Sequence, residues 1–453
     1  MKQKKVATVM KPSKQVTEAP ITEEERVRWT RRLKWEWAEA SIWTDAMLTA
    51  LDNGVKGGKW FSLIDKVHRP SVLMNAWKKV KANKGTAGVD RTSIKMFEAN
   101  QDKYLAELEY ELRTGTYQPK AVRRVYIPKD KGKFRPLGIP TVKDRIAQQA
   151  VKATIEPIFE NEFLDTSYGF RPKRGAKEAI AEVSKLIEEG YIWVVDADLQ
   201  AYFDTIPHDK LLNKISIHIS DGRIIQLIEK WLEQPIMEEC RNWIPTEGTP
   251  QGGVISPLLA NIYLHDLDKT LEAAKYKMIR YADDFVILTK KKEEAEEALK
   301  VVQEWTIAHG LTLHPEKTKL GNCMVEGEGF DFLGYRFEGG TRWVRRKSIQ
   351  RFRDRIKEKT SRICGQAIEY VIKEINPVLR GWYNYFKEVT KYTLGTFDSF
   401  VRRRLRAIVA RQNKKRSFGA GWNNVRIPNK YFADRGLFNM EENQKLYIAG
   451  QSR

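Results

Sequence analysis

Two aspartates, Asp283 and Asp284, stand side by side in the string YADDFVIL. Tight turns tolerate aspartate, but Tyr281 and the run Phe285–Leu288 demand burial directly beside two like charges. Such a pair is costly in apolar surroundings unless a cation neutralises it. A second source of carboxylates is the β-branched string YIWVVDADL, where Asp196 and Asp198 fall on one face of a strand and Asp204 follows shortly after. A strand-end aspartate beside a double-aspartate hairpin supplies hard oxygen ligands for two Mg2+ ions about 3.5–4 Å apart, with Mn2+ as a substitute. The chemistry served is phosphoryl transfer: one ion acidifies an attacking hydroxyl, and the other neutralises a triphosphate and its leaving pyrophosphate. Periodicity does not choose between Asp196 and Asp198.

The elements that must position these acids follow from hydrophobic period. KMIRYADDFVILTK reads as two short strands around an acidic tip, and GFDFLGYRFEGG as a further strand or hairpin. AVRRVYIPKDKGKFRPLGIP alternates, turns at Lys131–Gly132 and alternates again, which describes a hairpin carrying Arg123, Arg124, Lys129 and Arg135. Helical spacing predicts helices over Ser71–Ala82 and Lys95–Arg113, the second ending at Gly115. Ile146, Ala150, Val151, Ile155 and Ile158 form one helix face, and Ala176, Ala179, Ile180, Val183, Leu186 and Ile187 another. From Val27 to Trp60 the chain is rich in Trp and charge, an irregular helical stretch that sequence gives no physical reason for beyond RNA or partner binding. Helices mixed with antiparallel strands argue for an α+β core followed by an all-helical basic domain, with turns near Gly365 and Gly395.

Charge distribution points to the partner. Of the net +21 over 453 residues, Thr341–Arg416 holds 22 Lys and Arg against 6 Asp and Glu, a net of +16. A segment that basic is an electrostatic footprint for nucleic acid. At 42% hydrophobic and 31% charged residues most of the chain folds, and its length implies about two or three structural units. No apolar run is long enough to span a membrane. The first sixteen residues are basic, without an acid or an apolar core, and read as a flexible arm rather than a secretory signal. Three dispersed cysteines and six scattered histidines exclude a disulfide framework or structural zinc and fit a reducing compartment.

Taken in order, VRRVYIPK, RPLGIPTVKDRIAQQAV, SYGFRP, GTPQGG, YADDFVIL and FLGYRF resemble bacterial group II intron-encoded proteins over roughly residues 71–412. INPVLRGWYNYFKEVT and FDSFVRRRLRAIVARQNKKR resemble that family's thumb, also called the maturase or X domain. The resemblance implies an α+β right-hand polymerase, fingers and palm with antiparallel sheet, followed by the helical basic thumb. It divides the chain into an N-terminal extension (1–70), an N-terminal fingers segment (71–107), fingers and palm (108–337), thumb (338–416) and a short C-terminal tail (417–453). It makes Asp198, Asp283 and Asp284 the metal ligands. Phe203 matches an aromatic that packs under the incoming sugar and excludes a 2′-hydroxyl. Arg123 and Lys129 match phosphate-contacting positions of a mobile fingers flap, which Arg171 and its neighbours support together with the template. Gln251 lies against the nascent pair, where Gly248, Gly252 and Gly253 let backbone approach a base pair. Lys317 matches a lysine that protonates the pyrophosphate, and Gly334 lies in the primer-grip strand.

By charge, Arg402, Arg403, Arg404 and Arg406 form a cationic strip suited to folded RNA, with steep salt dependence expected. The implied function is reverse transcription with a maturase role in intron splicing and mobility. The implied partners are group II intron RNA, an RNA template with DNA primer, dNTPs and target DNA, in the bacterial cytoplasm and nucleoid. The family often ends in a zinc-binding HNH endonuclease. No CxxC pair is present and only about forty residues follow the basic helices, so that domain is not expected and a pre-existing 3′ end should serve as primer. Two other functions fit: a free-standing reverse transcriptase domesticated in defence or repair, and a non-enzymatic splicing factor on a polymerase scaffold. Intact Asp198, Asp283, Asp284 and Phe203 argue against the latter. A viral-type RNA-dependent RNA polymerase fits the metal site but not Phe203.

Overall fold

The computed structural model describes residues 23–128, 132, 134–238, 241–249, 252–361, 365–389, 391–413 and 425–451. Eleven strands among them make three sheets. The fingers sheet has the order β2-β1-β4-β5, from β1 (Val122–Pro128), β2 (Phe134–Ile139), β4 (Ile236–Glu238) and β5 (Arg241–Trp243), with β1 and β4 parallel and the other pairs antiparallel. The palm sheet has the order β6-β7-β3-β8, wholly antiparallel, from β3 (Trp193–Asp198), β6 (Lys277–Tyr281), β7 (Asp284–Thr289) and β8 (Lys319–Asn322). The third, β11-β10-β9, comprises β9 (Phe330–Phe332), β10 (Tyr335–Glu338) and β11 (Thr341–Val344). Among the described residues no helix is long and apolar enough to cross a membrane.

The palm sheet separates two hydrophobic clusters because its strands alternate. Val195, Ala197, Phe285 and Ile287 face a core shared with the helices Pro70–Ala82, Val142–Glu160 and Ser256–Ala273. Val194, Val286, Leu288 and Ile279 face a second core shared with Ala176–Glu188 and the thumb helices Arg346–Lys359, Ile368–Phe386 and Lys391–Gln412. This is what period-2 alternation between two apolar layers produces.

Several sequence expectations change. The Lys95–Arg113 helix is two, Ile94–Ala99 and Gln101–Thr114, interrupted at Asn100 and closed by left-handed Gly115. The Trp-rich stretch is structural: Trp35 and Trp43 are buried in the first core, and Trp43 donates its indole N–H to the Ala153 carbonyl at 3.1 Å. Residues 35–70 are therefore continuous with the fingers core rather than an appendage. Gly395 does not mark a turn but lies inside Lys391–Gln412, where a Cβ would come within 2.9 Å of Glu441 Oε2. That oxygen belongs to the C-terminal helix Met440–Gln451, which packs against this one. The tail expected after 416 is in part folded onto the thumb, with Phe432 and Met440 fully buried and Asp398 accepting the Met440 and Glu441 amides at 3.2 and 2.9 Å.

Candidate active site

Strand pairing brings the acids together. Asp198, last in β3, lies opposite Asp284, first in β7, and Tyr281 closes onto Asp284 across the two-residue turn Ala282–Asp283. Asp196 pairs one step further in, opposite Val286, beneath the site rather than at its mouth. Behind the pair Phe285–Leu288 is fully buried, so the carboxylates stand where apolar cover ends.

The local charge is concentrated. Burial, then the neighbouring Asp196, Asp283 and Asp198, pushes the Asp284 carboxyl up to about 7. Burial, then Asp331 and Asp198, pushes Asp196 up to about 7 as well. The Lys317 ammonium is ion-paired with the Asp198 carboxylate. The turn carrying Lys317 is tied to β3 through the His314 amide, which donates to the Asp198 carbonyl at 2.8 Å. Among the described residues no group of three His, Cys, Asp or Glu side chains stands ready as a metal cage. The donor chemistry nevertheless fits a divalent ion: three hard-oxygen side chains gathered at one sheet end, with the Asp284 anion disfavoured first by burial and then by its acidic neighbours.

Above the acids lies a cavity of about 280 Å3, lined by Asp198, Asp283, Lys317, Tyr202 and Phe203 from the palm and by Phe134, Arg135 and Pro136 from the fingers. Phe203 is thus in the same cavity as the carboxylates. Its segment is clamped from the far side, since the Thr249 amide donates to the Phe203 carbonyl at 2.6 Å and the Gly248 amide to Ile206 at 2.8 Å.

Arg123 does not join this cavity. Its guanidinium donates to the Ala87 carbonyl at 2.7 Å, bracing the loop before the fingers hairpin. Arg135, on the facing strand, lines the cavity instead, so the arginine of this hairpin that reaches the site is not the one the resemblance singled out. Lys129 and Gln251 lie outside the described residues. Two glycines of GTPQGG, Gly248 and Gly252, lie close against protein. A Cβ on Gly248 would fall 2.7 Å from the Asp204 carbonyl carbon, and one on Gly252 2.2 Å from the Gly138 oxygen in β2. They let this loop seat against both palm and fingers. Arg171 is likewise internal, bonded to Glu160 at 2.7 Å and to the Ser167 carbonyl at 2.7 Å.

Gly334 occupies the two-residue turn between β9 and β10 at φ +86°, after Leu333 at φ +47°. A Cβ there would lie 3.3 Å from Ser348 Oγ and 3.5 Å from Phe386, so the glycine serves the junction of that hairpin with the thumb. The cationic strip is also only partly a surface. Arg404 donates to Thr360 Oγ1 at 3.0 Å and to the Thr360 carbonyl at 2.5 Å. Arg406, 8% exposed, donates to the Ile427 carbonyl at 2.9 Å and to Asn429 at 2.6 Å. Arg403 is exposed and Arg402 half-buried. A more open basic face is Arg346–Lys359, where Arg346, Lys347, Arg351, Arg353, Arg355 and Lys357 are all exposed.

Comparison with known proteins agrees with this geometry. Residues 127–337 match the family model described as reverse transcriptase (RNA-dependent DNA polymerase), and residues 349–427 that of the group II intron maturase-specific domain. Protein YkfC of Escherichia coli K12 is 36% identical over 315 residues, covering 60% of this chain and 82% of that protein. The group II intron-encoded protein LtrA of Lactococcus lactis is 40% identical over 215 residues, 47% of this chain and 35% of LtrA, so the match spans about a third of that relative. A solved partial Cas6-RT-Cas1--Cas2 complex aligns with 54% of this chain and 41% of its own at 26% identity and a TM-score of 0.36, which adds nothing to the assignment. With a polymerase module and a maturase module in succession on one chain, and a relative matched over most of its length, the protein belongs to the group II intron-encoded reverse transcriptase–maturase family.

Proposed function

We propose that the chain extends a DNA primer on an RNA template with dNTPs, using Mg2+ held by Asp198, Asp283 and Asp284, and that group II intron RNA is its cognate RNA. The observation that carries this reading is the Asp198–Asp284 register beside a cavity lined by Asp198, Asp283, Phe203, Lys317 and Arg135. When bound, the metal supplies charge neutralisation at the triphosphate and acidifies the primer 3′-hydroxyl; Mn2+ can substitute. The protein supplies position. Phe203 presents a flat apolar wall where the sugar of an incoming nucleotide would lie, leaving no space for a 2′-hydroxyl. Arg135 presents a guanidinium from the fingers to the triphosphate, where paired N–H donors match phosphate oxygens. Lys317, which lines the cavity and is ion-paired with Asp198, would donate a proton to the leaving pyrophosphate.

The thumb supports the second half of the proposal. The exposed basic side of Arg346–Lys359 grips phosphates of the template–primer duplex, and with Arg403 it holds folded intron RNA and assists splicing. The experiment is primer extension on RNA with Mg2+, comparing dNTPs with ribonucleotides, for wild type, Asp283→Asn and Phe203→Ala. Deoxynucleotide-only synthesis, abolished by the first change and loosened by the second, is the expected result. Absence of synthesis from folded, RNA-binding wild type would leave an RNA-binding splicing factor in its place.

A further inference from the structure

The turn that carries Asp283 is held from behind by a buried polar network that none of the steps above uses. Arg280, two residues before the turn in β6, is 0% exposed. Its guanidinium takes both oxygens of Asp268, Nε to Oδ1 at 2.7 Å and Nη2 to Oδ2 at 2.5 Å. Nη1 donates to Asn261 Oδ1 at 2.9 Å and to the Ala282 carbonyl at 3.0 Å. Asn261 in turn donates Nδ2 to the Gly169 carbonyl at 2.8 Å. Asn261 and Asp268, each 1% exposed, lie two turns apart on one face of the helix Ser256–Ala273.

The backbone repeats the connection. The Arg280 amide donates to the Thr166 carbonyl at 2.9 Å and the Tyr168 amide to the Arg280 carbonyl at 2.8 Å, so residues 166–168 run as an added edge beside β6. The next residue, Gly169, sits so close that a Cβ would fall 2.3 Å from the Ala282 nitrogen. Ala282 itself stands at φ +61°, a left-handed conformation that alanine adopts only when its surroundings impose it. Here the imposition has named agents: a guanidinium on the carbonyl of Ala282 and the Gly169 backbone against its amide.

A fully buried arginine–aspartate pair is a poor device for stability, because apolar residues of similar volume do as well or better. It is a good device for geometry. The planar guanidinium has five donors in fixed directions, and a rigid helix fixes three of its acceptor atoms, two on Asp268 and one on Asn261. The fourth contact, to Ala282, is thereby fixed in space.

We propose that Arg280, Asp268 and Asn261 are positioning residues that lock the Ala282 peptide and so aim the Asp283 and Asp284 carboxylates at the metal, an inference that rests on those aspartates being its ligands. The test uses the full chain in single-nucleotide addition, with dNTP and Mg2+ titrated separately and thermal stability measured alongside. Asn261→Ala keeps the ion pair but removes one of the two acceptors of Nη1, leaving it held only by the Ala282 carbonyl, and the donor to the Gly169 carbonyl. Arg280→Lys keeps the charge but cannot span Asp268 and Ala282 together. For each we expect kcat to fall about tenfold or more, KM for dNTP to stay within about twofold, and half-saturating Mg2+ to rise about fivefold, with partial rescue by Mn2+. A merely structural role would lower stability and leave the metal dependence of the folded fraction untouched. Folded Asn261→Ala with wild-type kcat and wild-type Mg2+ half-saturation overturns the inference, and this variant decides alone if Arg280→Lys does not fold. Asp283→Asn runs beside them: synthesis surviving that change would sink the metal-ligand reading itself. An inactive Asp283→Asn with an unaltered Asn261→Ala sinks only the positioning.

Discussion

Replacing Arg404 and Arg406 with glutamine should unfold the thumb before it weakens RNA binding. Arg406 is 8% exposed and donates to the Ile427 carbonyl and to Asn429, tying the end of Lys391–Gln412 to residues 427–429. A hydrogen bond from a charged donor contributes about 1.5–3 kcal/mol, and a stranded buried acceptor costs about 1–3 kcal/mol more. Glutamine can recover part of this, so Arg406→Gln should cost roughly 2–4 kcal/mol. For a unit of this size, at about 4–8 °C per kcal/mol, that is a Tm lower by roughly 8–30 °C in differential scanning fluorimetry. Arg404, half-buried with its bonds to Thr360, should cost about half as much. RNA affinity across a salt series reads the other role. Every phosphate that the protein ceases to neutralise makes the log–log slope shallower by about 0.7–0.9. Arg404→Gln and Arg406→Gln should leave that slope within error of wild type, measured below the Tm. Arg346→Gln with Arg353→Gln, both exposed on Arg346–Lys359, should reduce it by about 1.5 with Tm unchanged. The opposite pattern, a shallower slope and unchanged Tm for Arg404→Gln and Arg406→Gln, would refute the argument and restore the cationic strip as an RNA surface.

Three further outcomes follow from the same structure. Phe203→Ala should raise ribonucleotide use relative to deoxynucleotide use by roughly tenfold or more, since relief of a clash worth about 1.4 kcal/mol already does so; the ratio of kcat/KM values measures it. The metal response should depend on pH with a definite sign. The Asp284 carboxyl is raised to about 7, so without metal its protonated form stabilises the fold fully below about pH 4, and that contribution is lost as pH rises through about 7. Metal takes the ionised form, so the Tm gain from Mg2+ should be small at about pH 6 and larger at about pH 8. Asp196→Asn, which removes a neighbouring negative charge, should move that transition to lower pH, and a gain in Tm independent of pH would contradict the assignment. Trp43→Ala should cost about 3–5 kcal/mol, seen as loss of soluble, cooperatively unfolding protein, because the ring is buried in the fingers core.

The site was legible in sequence where local pattern determines it. YADDFVIL gives its own hairpin, because a period-2 run on either side of two polar residues leaves one register that buries the apolar set. Periodicity left Asp196 and Asp198 open and only the resemblance preferred Asp198; the register adds that Asp198 meets Asp284, whereas Asp196 meets Val286. Arginine roles were the least legible. Arg123 and Arg135 belong to one hairpin and carry equal charge, and what separates them is the Ala87 carbonyl, a backbone atom with no side-chain signature. The internal bonds of Arg404 and Arg406 were illegible for the same reason, since their acceptors include the carbonyls of Thr360 and Ile427. Gly248 and Gly252 of GTPQGG were noticed for close approach, and in the structure the backbone they approach is that of Asp204 and Gly138 of the same chain.

The palm sheet also explains why catalysis and thumb should not be treated as separable. Val194, Val286 and Leu288 belong to the core that the thumb helices complete, and on the same face, further along the strands, come Asp196, Asp198 and Asp284. The apolar cover supplied from the thumb side stops where the carboxylates begin. At that boundary Arg345, immediately before the thumb helix Arg346–Lys359, bonds Asp331 at 2.8 Å and offsets part of the burial that raises both Asp196 and Asp284. A shift of the thumb's first turn therefore changes the positive charge reaching the catalytic face, without any residue of the cavity being altered. On the proposed reading, duplex in the thumb and metal at the aspartates would act on one sheet face, so whatever effect either has on the binding of the other should be reciprocal.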